Sequence, residues 1–128
     1  MDLFMTAKLI LVIDDEESIL NMLEDGLELQ GNYEIEVSQN SKEFKDLVHQ
    51  IKYDVLLIDN KMPNKTGAEL AVDLRAHEGP NQNTPIIFIS GQIREVKEET
   101  KNIESSHYLS KPIKFEELSH LIDKITQK

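Results

Sequence analysis

Three apolar runs and one weaker pair carry no polar alternation: Leu9-Ile10-Leu11-Val12-Ile13, Val55-Leu56-Leu57-Ile58, Ile86-Ile87-Phe88-Ile89 and Tyr108-Leu109. Short unbroken runs rich in β-branched residues fit strands of a parallel sheet buried on both faces. The residues at or just past their ends are chemical: Asp14 and Asp15 after the first, Asp59 after the second, Ser90 after the third and Lys111 after the last. In such sheets ligands bind in the crevice outside the carboxyl ends of the strands. Three carboxylates, a hydroxyl and an ammonium are therefore expected to converge on one place.

Between the runs the chain turns amphipathic. A first strand over Lys8–Ile13 leads to a helix at about Glu17–Gln30, with Ile19, Leu20, Leu23 and Leu27 on one stripe and Gly31 just past its end. Glu34–Ser38 alternates like a sheet-edge strand. Asn40 or Ser41 then caps a helix running to about Ile51, with Phe44, Leu47, Val48 and Ile51 inward. Asp54–Ile58 is the third strand, a turn-rich loop spans Asp59 to Gly67, and a helix at about Gly67–Ala76 buries Leu70, Ala71 and Leu74. Glu78–Thr84 reads as a polar surface connection before a strand at Pro85–Ser90. A weakly apolar helix at roughly Glu95–Ile103 carries Val96 and Ile103 and is expected to be the least firmly docked. A strand at His107–Ser110 and a strongly amphipathic helix at about Phe115–Gln127 close the chain. Strands alternating with helices at this spacing give (βα)5 with right-handed crossovers.

The 128 residues suit one domain, with residues 1–7 as a tail and 8–128 as the folded unit. The absence of cysteine excludes a disulfide frame, a thiol nucleophile and a thiolate metal site. No basic, signal-type N-terminus and no bilayer-length apolar run are present, so a cytoplasmic protein without a membrane partner is expected. A net charge of −10 argues against direct nucleic-acid binding, which needs a basic face.

The chemistry follows from charge. Two carboxylates about 4 Å apart repel by roughly 4 kcal/mol at an effective dielectric near 20. Three together hold a proton or need a cation, and a hard divalent ion with oxygen ligands, Mg²⁺ first and Mn²⁺ as an alternative, relieves the repulsion. Asp14, Asp15 and Asp59 are the candidate ligands. Asp59 also suits a nucleophile that accepts a phosphoryl group, with Lys111 and the Ser90 hydroxyl neutralising the phosphoryl oxygens.

Asp14-Asp15, Asp59, Met62-Pro63, Gly67, Ser90 and Lys111-Pro112, in this order and each at the matching strand end, resemble the receiver domain of two-component response regulators, including the single-domain chemotaxis type. The likeness covers about Lys8 to Ile125. It implies a flavodoxin-like fold, a doubly wound parallel five-stranded sheet in the order 2-1-3-4-5. It implies that Asp59 is phosphorylated by a histidine kinase or a histidine phosphotransfer protein, and that the chain is a phosphorelay switch without separate substrate turnover. It adds the backbone carbonyl of Lys61 as a metal ligand, Asp14 acting through water, and a cis bond before Pro112 that aims Lys111. Tyr108 takes the place of the aromatic that turns inward when Ser90 is drawn to the phosphoryl group. The face made by the fourth strand, fourth helix, fifth strand and fifth helix is the expected docking surface for a downstream protein, as a monomer or a phosphorylation-dependent dimer.

Other readings compete at single positions. Asp14-Asp15 alone suits the positive end of a helix, and Lys111-Pro112 alone suits a strand end. A haloacid-dehalogenase-like phosphatase uses the same groups but places its nucleophile after the first strand with an Asp two positions on, where this chain has Glu16. A pseudo-receiver acting only as an interaction module typically lacks the acids or the lysine, and all are present here. His49, His77 and His120 are expected in helices and His107 at a strand start, none with ligand spacing. Lys61 sets a cation beside the acids, where pairing with Asp59, weaker metal binding or a changed phosphoaspartate lifetime are open roles. Lys114 stands where a helix cap is expected, and Gly91 leaves the space beside Ser90 open.

Overall fold

Alternation within the apolar runs sorts the core into two halves. The computed structural model describes residues 7–62 and 65–127; Met1–Thr6 of the expected tail, Pro63 and Asn64 of the turn-rich loop and Lys128 lie outside the described residues. The elements are β1 (Lys8–Ile13), α1 (Glu17–Gln30), β2 (Tyr33–Ser38), α2 (Ser41–Gln50), β3 (Val55–Asp59), α3 (Gly67–Ala76), β4 (Ile86–Ser90), α4 (Ile93–Glu99), β5 (Ser106–Ser110) and α5 (Phe115–Thr126). All strand pairs are parallel and the sheet order is β2-β1-β3-β4-β5.

Ile10, Val12, Leu57, Ile87 and Ile89 point to one side, against Leu20, Leu23 and Leu27 of α1 and Leu118 and Ile122 of α5. Leu11, Ile13, Leu56, Ile58, Ile86 and Phe88 point to the other, against Phe44, Val48, Leu70, Ala71, Leu74 and Val96 of α2, α3 and α4. Successive side chains of a strand leave on opposite faces, so runs apolar at every position are what a sheet covered on both sides requires. No helix among the described residues is long and apolar enough to cross a membrane.

Several boundaries differ from the sequence expectation. Asp59 belongs to β3 and ends it, and β2 and β5 each begin one residue earlier than expected. His77 follows α3 as its cap residue instead of lying within the helix. The larger shift is in α4, which starts at Ile93 and stops at Glu99 instead of running from about Glu95 to Ile103. It ends at its cap residue Thr100, whose backbone leaves helical geometry (φ −111°, ψ 10°) while its N–H and its hydroxyl both donate to the Val96 carbonyl, and the chain then turns, with Ser105 at φ 55°. The connection expected on the surface, Glu78–Thr84, is partly interior. Asn81 is fully buried: its amide donates to the carbonyls of Val48 and Ile51 and its carbonyl accepts from the Tyr53 N–H, so one polar side chain closes the end of α2 and the start of β3. Thr84, also buried, donates to Asn81. Burial costs such groups little once every polar atom has a partner.

Candidate functional site

The carboxyl ends of β1 and β3 are adjacent in the sheet, with Ile13 opposite Ile58, so Asp14 and Asp59 are neighbours by register. Asp59 is 4 % exposed and Asp14 2 % exposed, while Asp15 is exposed to solvent. One oxygen of each lies within 4.8 Å of the others. Asp14 is fixed at both ends: its N–H donates to the Ser38 carbonyl of β2, and its Oδ1 accepts from the Glu16 N–H at 2.9 Å. From the other side Lys111 Nζ reaches Asp59 Oδ1 at 3.2 Å. The Lys111 N–H also donates to the Ser90 carbonyl at 2.9 Å, which ties the end of β4 to the end of β5. Ser90 is 6 % exposed, and its Oγ accepts from the Gln92 N–H at 2.9 Å. The Lys111–Pro112 peptide bond is cis.

Burial and mutual repulsion govern the charges. The Asp14 carboxyl is pushed up to about 6, first by burial and then by Asp59 and Asp15, against the opposing Glu16 N–H and Lys111. Burial also raises Asp59, although the Lys111 ammonium beside it pulls the other way. For Lys111 burial favours the neutral form, but attraction and hydrogen bonding to Asp59, with Asp14 and Glu16 adding, outweigh it and hold the ammonium charged. The result is a pocket with excess negative charge and hard oxygen donors, facing one fixed cation.

A family model for the response regulator receiver domain matches residues 10–123. The chain belongs to this family. Among curated relatives, the nisin biosynthesis regulatory protein NisR of Lactococcus lactis is 31 % identical over 112 residues, which cover 85 % of this chain and 46 % of NisR. The chain spans between a quarter and half the length of the curated relatives it matches. Among solved structures, the chemotaxis protein CheY4 of Vibrio cholerae superposes with a TM-score of 0.85 at 27 % identity, covering 94 % of this chain and 99 % of that one. The receiver domain of the sensor histidine kinase PA1611 of Pseudomonas aeruginosa, solved with a magnesium ion in its active-site cleft, shares the fold. Its TM-score is 0.84 at 22 % identity, covering 96 % of this chain and all of that one.

In this receiver domain the residues flanking the loop after Asp59 brace the end of β3 against the start of α3. The Asn60 side chain, buried, accepts from the Ala68 N–H at 3.1 Å, and its carbonyl accepts from the Gly67 N–H at 3.0 Å. Thr66 and Glu69 form a reciprocal capping box at the start of α3, a pattern legible as Thr-x-x-Glu before an apolar stripe. Gly67 is required for a steric reason. A Cβ there would meet Ile58 Cγ2 at 2.7 Å and the backbone of Asn60 and Asp59 at 3.0 Å. The Lys61 side chain is exposed, and among the described residues the ion pair of Asp59 is with Lys111, not Lys61. Lys114 precedes α5 without a side-chain cap, as expected.

Tyr108 lies on β5 in register with Phe88 and stacks on it, with ring centroids 5.9 Å apart. Its hydroxyl meets Thr100 Oγ1 at 2.6 Å, and Lys97 Nζ sits 5.5 Å from the ring centre. A hollow of about 120 Å³ opens beside Ser90, bordered by Asn60, Lys61, Thr66, Gln92, Glu95 and Val96. None of the four histidines joins the acidic cluster; His107 is partly buried, which lowers its affinity for a proton.

Proposed function

We propose that this receiver domain is a phosphoacceptor switch in which Asp59 takes a phosphoryl group from a phosphohistidine on a histidine kinase or phosphotransfer protein in the cytoplasm. The observation that carries the reading is the opposition of Asp59 to Lys111 at 3.2 Å inside a cluster of two further carboxylates. An Asp59 oxygen attacks phosphorus, the bond from phosphorus to the donor imidazole nitrogen breaks, and the imidazole leaves with the electron pair. The product is an acyl phosphate. Such transfers depend on positioning and charge neutralisation more than on a base. Lys111, already charged and already at Asp59, meets one phosphoryl oxygen. The Ser90 hydroxyl proton is free to meet another, because Ser90 Oγ accepts from Gln92 and does not donate to it.

The donor set fits a divalent cation. Asp14, Asp15 and Asp59 offer three hard oxygens within reach of one another, and the raised Asp14 carboxyl marks charge that a cation relieves. Asp14, Asp15, Asp59 and the Lys61 carbonyl are the proposed holders of Mg²⁺, with Mn²⁺ as an alternative. A bound divalent ion would supply charge neutralisation at a phosphoryl oxygen. The magnesium in the PA1611 receiver domain supports this assignment. A downstream protein docks on the face built by α4, β5 and α5.

Incubation with acetyl phosphate and Mg²⁺ followed by intact mass tests the reading. One added phosphoryl group on the wild type and none on Asp59→Asn is expected. No uptake by the wild type overturns it, and steady hydrolysis of unrelated phosphate esters would favour a phosphatase.

A further inference from the structure

Gly26 lies inside α1, where a glycine costs about 1 kcal/mol relative to alanine. Its neighbour on α5 gives the reason. A Cβ at position 26 would lie 2.7 Å from Cδ1 of the Phe115 ring and nearer still to Cε1 and Cζ. The ring therefore occupies the space of the missing methyl group, against the α1 backbone. Phe115 is the first residue of α5 and stands four after Lys111. Lys114, the cap residue, makes no side-chain hydrogen bond, so the packing of Phe115 takes over from a cap in fixing where this helix begins. Near its other end α5 is tied to the sheet: Asp123 accepts from Lys8 Nζ at 3.1 Å and from the Tyr33 hydroxyl at 2.8 Å.

We infer that Gly26 is a positioning residue for phosphoryl transfer: the notch it leaves in α1 seats Phe115, and that seat sets the place of Lys111 opposite Asp59. The inference rests on the function proposed above and assigns to it a residue outside the site. Helix α1 follows the Asp14–Asp15 end of β1, α5 follows the lysine end of β5, and both cover the same side of the sheet. Their parent strands are separated by β3 and β4, so the contact of Phe115 with Gly26 is a direct link between ends that the sheet joins only through two other strands. The Lys111 backbone has two nearby anchors, its own N–H on the Ser90 carbonyl at 2.9 Å and Phe115 four residues on. Phe115 and Asp123 lie about 12 Å apart along the helix axis. With the Asp123 end pinned and α1 held by Leu20, Leu23 and Leu27 in the core, a push on the ring is taken up at the start of α5. It passes from there into the loop that carries Lys111. A misplacement of about 1 Å, even from a change far from the chemistry, slows a positioned reaction severely.

Initial rates of phosphorylation by acetyl phosphate at saturating Mg²⁺, with Mg²⁺ affinity by calorimetry on the same folded proteins, test this. Gly26→Ala is expected to slow the rate about tenfold and to leave Mg²⁺ affinity unchanged, because the carboxylates stay in place. Phe115→Leu makes room for the added methyl group. In that background the same alanine should raise the rate about threefold, the coupling expected of two residues in contact. This reversal of sign decides the matter even if Gly26→Ala folds poorly on its own. A wild-type rate in Gly26→Ala, or equal slowing in both backgrounds, overturns the inference. Loss of Mg²⁺ affinity in step with the rate also overturns it, since the acids and not Lys111 would then have moved. If the wild type takes up no phosphoryl group, the proposed function fails, and a crystal structure of Gly26→Ala judges the notch separately. Lys111 Nζ drawn away from Asp59 Oδ1 supports it, and a distance still at 3.2 Å overturns it.

Discussion

Lys111 Nζ stands 3.2 Å from Asp59 Oδ1, a half-buried ammonium against a carboxylate that is almost wholly buried. The lysine offsets the charge of one acid in a cluster of three, and it holds the place where a phosphoryl oxygen would add more negative charge. Lys111→Ala should slow phosphorylation by acetyl phosphate on the order of a hundredfold, the scale for losing one preorganised charge-stabilising donor. Magnesium binding should survive, because the three carboxylates remain. Initial rates by intact mass and magnesium titration by calorimetry check both; the chain has no tryptophan to report binding by fluorescence.

The raised Asp14 carboxyl sets a pH dependence. Its affinity for a proton is higher folded, at about 6, than in the unfolded chain, at 3.8. Between those values the folded state binds more protons than the unfolded one, so stability falls as pH rises through the window. In chelator, the protein should therefore be more stable at pH 5 than at pH 7. Asp14→Asn should remove most of that slope and stabilise the metal-free protein at pH 7 by on the order of 1–3 kcal/mol. Urea melts at the two pH values, with and without Mg²⁺, read the effect; a wild type equally stable at both contradicts it.

Gly67 is held against the strand that ends in Asp59. A methyl group there overlaps Ile58 and presses on the Asp59 carbonyl. Gly67→Ala should cost about 1–3 kcal/mol, as overpacking does, and should slow phosphorylation by shifting Asp59. Melting and labelling of the same variant should change together.

Lys61, exposed and unpaired with Asp59, borders the hollow beside Ser90. Lys61→Ala should change the lifetime of the phosphorylated form while leaving stability within about 0.5 kcal/mol. Decay of the phosphorylated mass after removal of acetyl phosphate measures it, and an unchanged lifetime rejects a role for this side chain.

The strands and the site were legible because both are local facts. Each β-branched run declares its own strand, and Asp14, Asp59, Ser90 and Lys111 need only follow those runs for a parallel sheet to gather them. What escaped depends on distant partners. Asn81 and Thr84 sit in a polar stretch, and only the backbone groups of Val48, Ile51 and Tyr53 that they satisfy make them interior plugs. Helix α4 begins two residues earlier than expected and ends at Glu99, short of Ile103; Val96 is its one buried apolar residue, so the sequence carries little periodicity to bound it. The pairing of Thr100 with Tyr108 joins a helix end to a strand, and no periodicity announces it. The Thr66–Glu69 capping box, by contrast, is readable as Thr-x-x-Glu ahead of α3.

The most direct measurement is to find which residue carries the phosphoryl group. Borohydride reduction of the acyl phosphate converts that aspartate to homoserine, and peptide mass spectrometry locates it. Conversion at Asp59, with Asp14 and Asp15 untouched, is the predicted result. Conversion at Asp14 or Asp15 in place of Asp59, or a phosphoryl group that resists reduction because it sits on a hydroxyl or a histidine, would contradict the assignment.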